Sequence, residues 1–302
     1  NQRMELWIFF ALLSSILFAI VSVLDKYAVY DKSGISPYLL NMYVGYSNLI
    51  VSLFFLALYL RSFNSYHFYA LSVGFIQGLS LIALFWTLKK LSVTRTMTMW
   101  SSYPFWVALI SFIFMDENLK LIQIVFMMII ITGSITSNIS LEDSKEYNFS
   151  LISIFIIIFG TIFFATSQVL NKVVVSEITV LETYGLRGVG VCMTLALPFS
   201  SINNLKKLKD FVLDWDNSKY LFLAETIIAT FAYLTILIAL MTGPVSLVAS
   251  LSGTRPVFIV LIYIVLNLMG LNLSEKLIKN EVVIKLFSAL CVGIGVFGIA
   301  YF

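Results

Sequence analysis

LFAIVSVLDKYAVY at residues 17–30 returns as FFATSQVLNKVVVS at 163–176, with six of fourteen positions identical. TLKKLSVTRTMTMWSSYPFWVALI at 87–110 returns, more faintly, as ALMTGPVSLVASLSGTRPVFIVLI at 239–262. The two intervals are nearly equal, so a unit of roughly 150 residues occurs twice. Each unit holds five apolar stretches of membrane-spanning length. Five is odd, so the second copy must enter the membrane upside down relative to the first. Inverted repeats of this kind belong to carriers that alternate access around a site at the repeat interface.

Composition agrees. Sixty per cent apolar residues, 12% charged residues and a mean hydropathy of +0.97 exclude an ordinary soluble domain. A helix needs about 20 apolar residues to cross the hydrocarbon core. Ten such helices are expected, at 5–29, 36–60, 67–89, 93–115, 119–140, 149–175, 179–199, 217–241, 244–268 and 281–302. Runs such as ISIFIIIFGTIFF are apolar on every side, which excludes the alternation of a transmembrane barrel. The fold class is therefore an all-α polytopic membrane protein, with ten transmembrane helices in two inverted five-helix repeats. The repeats are expected at 1–145 and 146–302, joined by the polar stretch LEDSKEYN at 141–148. The first helix is too long for a cleavable signal, and its second copy is plainly structural.

Cys192 and Cys291 lie inside predicted helices and read as small packing residues. Neither a disulfide framework nor a zinc spacing is present. A net charge of +3 is too small to imply a nucleic-acid partner.

The longest connection, INNLKKLKDFVLDWDNSK at 202–219, places Leu205, Leu208, Phe211 and Val212 at helical spacing between lysines. It reads as a short interfacial helix or a solvated basic loop. Pro37 and Pro244 fall at helix starts and Pro198 at a helix end. Pro104 and Pro256 fall inside the fourth and ninth helices, at matching repeat positions. Matched kinks suggest that these helices line a central cavity, because a freed carbonyl at membrane depth must be satisfied by protein or cavity water. GIGVFG at 293–298 matches a dinucleotide loop in letters only, since no strand precedes it. With Ala289, Gly293 reads instead as a small-residue face for close helix packing, within the chain or in a homodimer.

With these features in place, the chain resembles the drug/metabolite transporter superfamily, specifically the EamA-like permeases. YPFWVALISFIFMDENLKLIQIVFMMIIITG at 103–133 carries the resemblance: a proline-bearing helix, a glutamate at the turn, and a following apolar helix with glycine. RPVFIVLIYIVL, SEKL at 274–277 and the glycines of the tenth helix repeat it. The resemblance implies a carrier, and no fixed cofactor is expected, since the sequence shows neither a catalytic constellation nor an extramembrane domain. Glu117 and Glu275 would then be turn and cap residues rather than substrate contacts. It also implies a bacterial or archaeal cytoplasmic membrane, an organellar one being the alternative. The family's termini are usually cytoplasmic. The lysines and arginines, about thirteen on the opposite side against about four on the terminus side, argue the reverse orientation.

Charges inside the bundle cost roughly 2.5–3.5 kcal/mol each, so every one needs a partner or a purpose. Lys26 and Lys172 are a matched pair, preceded by Asp25 and Asn171. They either reach a cavity or snorkel to the interface. Arg187 lies in the seventh helix beside Tyr184, and Arg255 immediately precedes Pro256, at the position matched by Tyr103. Both arginines are expected at the cavity, where they receive an anionic substrate group; pairing with Glu225 or Glu182 is the alternative. Gln77 and Gln168 are weaker candidates. Trp86, Trp100, Tyr103 and Trp106 cluster near the third and fourth helices, as interfacial anchors or as cavity walls.

The function expected is secondary transport of a small polar metabolite, an amino acid or related zwitterion. Arginines and lysines would meet its anionic group, and Asp25 and Glu225 its cationic one. Glu225 is the candidate proton-coupling carboxylate. A carrier of an anionic metabolite, such as an organic phosphate or nucleotide sugar, is the second reading; a non-transporting membrane protein is a remote third. An enzyme is not expected. His67 is the single histidine, and the sequence offers no metal-ligand cluster, no nucleophile–base pair and no nucleotide motif.

Overall fold

The computed structural model describes residues 2–28, 35–88, 93–117, 119–137, 151–269 and 279–301. The 141–148 linker, with the 145/146 boundary, and SEKL with Glu275 lie outside the described residues. The first half contains α1 (Gln2–Lys26), α2 (Pro37–Tyr59), α3 (Ser65–Leu88), α4 (Val93–Trp100), α5 (Tyr103–Phe114) and α6 (Leu121–Ser137). The second contains α7 (Leu151–Val175), α8 (Val180–Leu195), α9 (Ile202–Leu213), α10 (Trp215–Leu221), α11 (Ala229–Thr242), α12 (Val245–Ser252), α13 (Arg255–Leu268) and α14 (Lys279–Tyr301). Among the described residues there is no strand. Seven stretches are long and apolar enough to cross a membrane: Leu6–Lys26, Tyr38–Tyr59, Ser65–Thr87, Ile152–Val175, Val180–Phe199, Trp215–Thr242 and Val245–Leu266. Tyr103–Phe114, Leu121–Thr136 and Phe287–Ile299 are shorter apolar helices.

The two matched prolines break their helices rather than kink them. The chain turns at Ser101–Ser102 between α4 and α5, and at Gly253–Thr254 between α12 and α13. Pro104 and Pro256 then fall in the first turn of the new helix, where a missing N–H costs no hydrogen bond. A hydroxyl answers each break: Ser102 Oγ donates to Met99 O and Thr254 Oγ1 to Leu251 O, both at 2.6 Å. The predicted eighth helix is also divided. A π-helical segment, Phe222–Ile228, lies between α10 and α11 and carries Glu225.

The tightest packing joins α2, α3 and α8. A Cβ on Gly74 would strike the backbone of Arg187, and one on Gly190 the backbone of Leu71, Gly74 and Phe75. Backbones approach this closely only across small residues, the usual means of helix association where the apolar effect is absent. The contacts advance together along α3 and α8, which therefore run parallel; Gly45 meets Ala196 and Gly185 meets Leu56, so α2 runs antiparallel to α8. At the leading ends of α3 and α8, His67 is 2% exposed and binds Asn64, with its Nε2 3.9 Å from Glu182. Elsewhere, α1 packs antiparallel to α11, with Trp7 at Gly243 and Ser14 Oγ donating to Ala232 O at 2.9 Å.

The tenth-helix glycines divide differently from the expected small-residue face. Gly295 and Gly298 pack on Ile130 and Phe126 of α6, whereas a Cβ on Gly293 would meet nothing within 4 Å. Stretch 202–213 is helical, as its spacing suggests: Leu208 and Phe211 dock on Met42, Tyr43 and Leu221, while Leu205 and Val212 stay exposed.

Candidate substrate site

Tyr233, on α11, organises the interior polar cluster. Its hydroxyl accepts from Gln77 Nε2 at 2.6 Å, its ring meets Phe18 of α1 edge to face at 4.8 Å, and the Arg187 guanidinium lies 3.7 Å from its centroid. Arg187 is 1% exposed. It donates from Nη1 to Gln77 Oε1 at 2.7 Å and from Nη2 to Asn48 Oδ1 at 3.1 Å, while its Nε has no protein partner. Buried guanidinium, amide oxygens and an aromatic face are chemically matched, because Arg offers a planar fork of donors and a stacking surface. Neither Glu182 nor Glu225 holds it. Glu182 closes a capping box with Thr179 at the start of α8. Tyr184 lies beside Arg187, its ring centroid 5.3 Å from the guanidinium, and its hydroxyl is 3.0 Å from Thr230 Oγ1.

Arg255 approaches the same aromatic pair from α13. Its Nε donates to Ser22 Oγ at 2.8 Å, Nη2 also reaches Ser22, and the guanidinium lies 5.5 Å from the Phe18 centroid. Asp25, one turn beyond Ser22, lies near Glu225, and both carboxyl groups lie in the field of Arg255. Asp25 Oδ1 is buried without a partner. Tyr43 of α2 lies close to Thr226, next to Glu225, and to Ser47. The cluster thus carries two cations and two carboxyl groups, contributed by α1, α8, α13 and the π-helical segment.

The other candidates are placed unequally. Tyr103 is buried near Arg255; its hydroxyl donates to Ala249 O at 3.2 Å and its ring meets Phe164 at 4.9 Å. Trp100 packs on the same Phe164, 5.1 Å away. Lys26, at the end of α1, lies 5.4 Å from the Tyr263 ring. Lys172 donates to Met241 O at 3.3 Å and Gly243 O at 3.0 Å, which places its charge at the carbonyl end of α11. Its neighbour Asn171 is buried, with Oδ1 unpartnered. Trp86 is 37% exposed on α3. Glu117 accepts from Ser246 N at 3.3 Å and Ser246 Oγ at 2.5 Å, capping α12.

Sequence reasoning missed Tyr233, Phe18, Ser22 and Asn48. An aromatic or small polar residue in an apolar helix carries no signal of its own; only the charges they surround could have pointed to them.

Residues 5–139 match the EamA-like transporter family. No curated protein matches the chain. A solved structure titled only "Crystal structure of protein" superposes with a TM-score of 0.66 at 12% identity, covering 95% of this chain and 96% of that one, a likeness of fold alone. Over residues 5–139 the chain is thus similar to EamA-like transporters, and its seven apolar helices of spanning length make it a multi-pass integral membrane protein.

Proposed function

We propose that this protein is a secondary carrier of a small polar metabolite, an amino acid or related zwitterion, working by alternating access between two inverted five-helix repeats. Counting the three shorter apolar helices as spans gives ten, five on each side of the linker. Contacts also repeat across the halves. Phe18 and Phe164 are aligned positions, as are Arg255 and Tyr103, and Arg255 lies over Phe18 as Tyr103 lies against Phe164.

One observation carries the substrate class. The buried Arg187 and the part-buried Arg255 converge on Tyr233 and Phe18, and a carboxyl pair stands beside Arg255. Guanidinium groups at membrane depth are costly, and a substrate carboxylate offsets that cost while the carboxyl pair receives an ammonium group. Arg187 and Arg255 are the anchoring cations, with Tyr103, Tyr184 and Trp100 as walls and Asp25 toward the ammonium group. Lys26 and Lys172 tune the field at the ends of the site, and Asn171 and Trp86 complete its lining. The protein relocates its substrate and leaves it chemically unchanged.

Proteoliposomes offered labelled mixtures of the common amino acids test this reading. Uptake above empty liposomes supports it, as does a loss of about tenfold or more in Arg255→Gln at matched protein density; tenfold corresponds to about 1.4 kcal/mol of binding. Absence of uptake overturns it. A second reading, carriage of an anionic metabolite, is favoured because the hydrogen bonds of Arg187 go to amides and not to a carboxylate. Uptake of hexose phosphates or nucleotide sugars in place of amino acids would decide for that reading.

A further inference from the structure

Helix α9 lies between two membrane-spanning stretches, Val180–Phe199 and Trp215–Thr242. Ser201 opens it, its hydroxyl accepting from Asn204 N at 3.3 Å, and Asn204 Nδ2 donates to Phe199 O at 2.9 Å. The docked side sits at a definite depth. Leu208 and Phe211 pack with Met42, Tyr43 and Leu221, and the rings of Phe211 and Tyr43 meet edge to face at 6.1 Å. Met42 and Tyr43 lie four and five residues inside the spanning stretch Tyr38–Tyr59, and Leu221 six residues inside Trp215–Thr242. At about 1.5 Å per residue, that is roughly 6–9 Å along those helices from their ends. A helix held there is not in bulk water. The rest of α9 divides into two further sides. At about 100° per residue, Ile202, Leu205, Val212 and Leu213 share one, and Asn203, Lys207 and Asp210 the other. The first is apolar and yet exposed, from 40% at Leu205 to 74% at Ile202. It runs on into exposed Trp215, whose ring lies 5.7 Å from that of Phe222, itself exposed within the spanning stretch. Lys209 falls in the middle of this apolar side and Lys206 at its border. Both are exposed, and neither forms an ion pair among the described residues. The neighbouring acids are turned away or engaged: Asp210 lies on the third side, Asp214 accepts from Asn217 Nδ2 at 2.7 Å, and Asp216 pairs with Lys219 at 3.0 Å.

We propose that α9 is an amphipathic anchor seated in the membrane surface, where it binds anionic phospholipid with Lys206 and Lys209 on the lipid phosphates. Ile202, Leu205, Val212 and Leu213 enter the boundary between headgroups and acyl chains, a zone about 5–10 Å deep that matches the depth of the docked side. Lys209 runs its methylenes along that apolar surface and raises its ammonium to the headgroups. Lys207 and Asp210 stay in water, so the cationic excess is directed at the lipid. Charge sets the lipid class. An ammonium group at the bilayer surface favours an anionic headgroup by about fivefold per lysine, whereas a zwitterionic headgroup answers its own phosphate with its own cation. Because α9 joins α8 to α10 and packs on α2, its seat fixes the height of three helices in the bilayer.

Trp215, just past the end of α9, reports the lipid against it, and the test needs no transported substrate. The full chain is reconstituted, one copy per nanodisc, in phosphatidylcholine containing rising fractions of brominated phosphatidylglycerol or of brominated phosphatidylcholine. The emission lost in Trp215→Phe isolates this tryptophan from the others. In the wild type, brominated phosphatidylglycerol should quench it at a fraction about tenfold lower than brominated phosphatidylcholine does. Lys206→Gln combined with Lys209→Gln should bring the two lipids within about twofold of each other, while Lys207→Gln, on the water side, keeps most of the preference. Thermal unfolding of these surface variants with the wild type shows that the fold is kept. Absence of quenching by either lipid places α9 in water and overturns the proposal. Equal quenching by both lipids in the wild type also overturns it, since an apolar anchor would then lack an anionic site. Quenching that disappears when two copies share a nanodisc assigns the exposed face to a second chain and overturns it as well.

Discussion

The guanidinium of Arg187 rests 3.7 Å from the centre of the Tyr233 ring, although the two residues belong to different helices, α8 and α11. The same ring meets Phe18 on α1, and its hydroxyl receives Gln77 from α3. Four helices therefore communicate through one tyrosine.

Replacing that tyrosine separates its two roles. Tyr233→Phe keeps the aromatic face and loses the hydroxyl acceptor, a loss of about 0.6 kcal/mol, the average for such interhelical bonds. Tyr233→Leu also removes the cation–π contact, worth about 2 kcal/mol or more when desolvated. Thermal unfolding in detergent should rank wild type above Phe above Leu. A Leu variant that melts with the wild type would show that Arg187 does not lean on the ring.

Arg187 itself should not tolerate lysine. Its two terminal nitrogens reach Gln77 on α3 and Asn48 on α2, a span that a single ammonium cannot match. Arg187→Lys should lower the melting temperature as much as Arg187→Gln does, even though charge is kept. If Lys restored wild-type stability, charge rather than the fork would be the important property.

The glycines make a sharper contrast. Gly74 and Gly190 face each other across α3 and α8 with backbone at the Cβ position, whereas Gly293 faces open space. Gly74→Val or Gly190→Val should give aggregated or poorly inserted protein by size-exclusion chromatography. Gly293→Ala should elute as the wild type does. Equal behaviour of the three would contradict the close approach of α3 and α8.

Much of this arrangement was legible beforehand, but unevenly. Pro104 and Pro256 marked the two interruptions because proline has no N–H to give, and the structure moves each break just upstream so that the proline opens a new helix. Leu208 and Phe211 marked the docked face of α9 by their spacing. Tyr233 was illegible: with 15 tyrosines and 26 phenylalanines in the chain, an aromatic in an apolar helix is the ordinary case. Its partner Gln77 is 156 residues away, beyond any local pattern. The partner of Arg187 was equally hidden. Glu182 seemed available in the same helix, but it occupies the third helical position, where capping the exposed N–H groups claims its carboxylate. The π-helical segment FLAETII contains neither proline nor glycine, so nothing in it announces a wide turn.

The turn at Gly243–Pro244 is held from both sides, and this gives the last prediction. Lys172 donates to the carbonyls of Met241 and Gly243, opposing the negative end of α11, while Glu117 accepts from the Ser246 amide and hydroxyl at the positive end of α12. Each charge sits where the helix dipole favours its sign, an effect worth about 0.3–1 kcal/mol at exposed sites and up to about 2 kcal/mol when partly buried. Lys172→Met should therefore lower stability by about 1 kcal/mol, and Glu117→Gln by a similar amount, because the amide oxygen still accepts but carries no charge. Exchanging the two charges, Lys172→Glu with Glu117→Lys, should be worse than either single change, since both would then oppose their helix ends. That outcome separates a dipole effect from a simple attraction between Lys172 and Glu117, which the exchange would preserve. A double variant as stable as the wild type in thermal unfolding would assign the pair to mutual attraction instead.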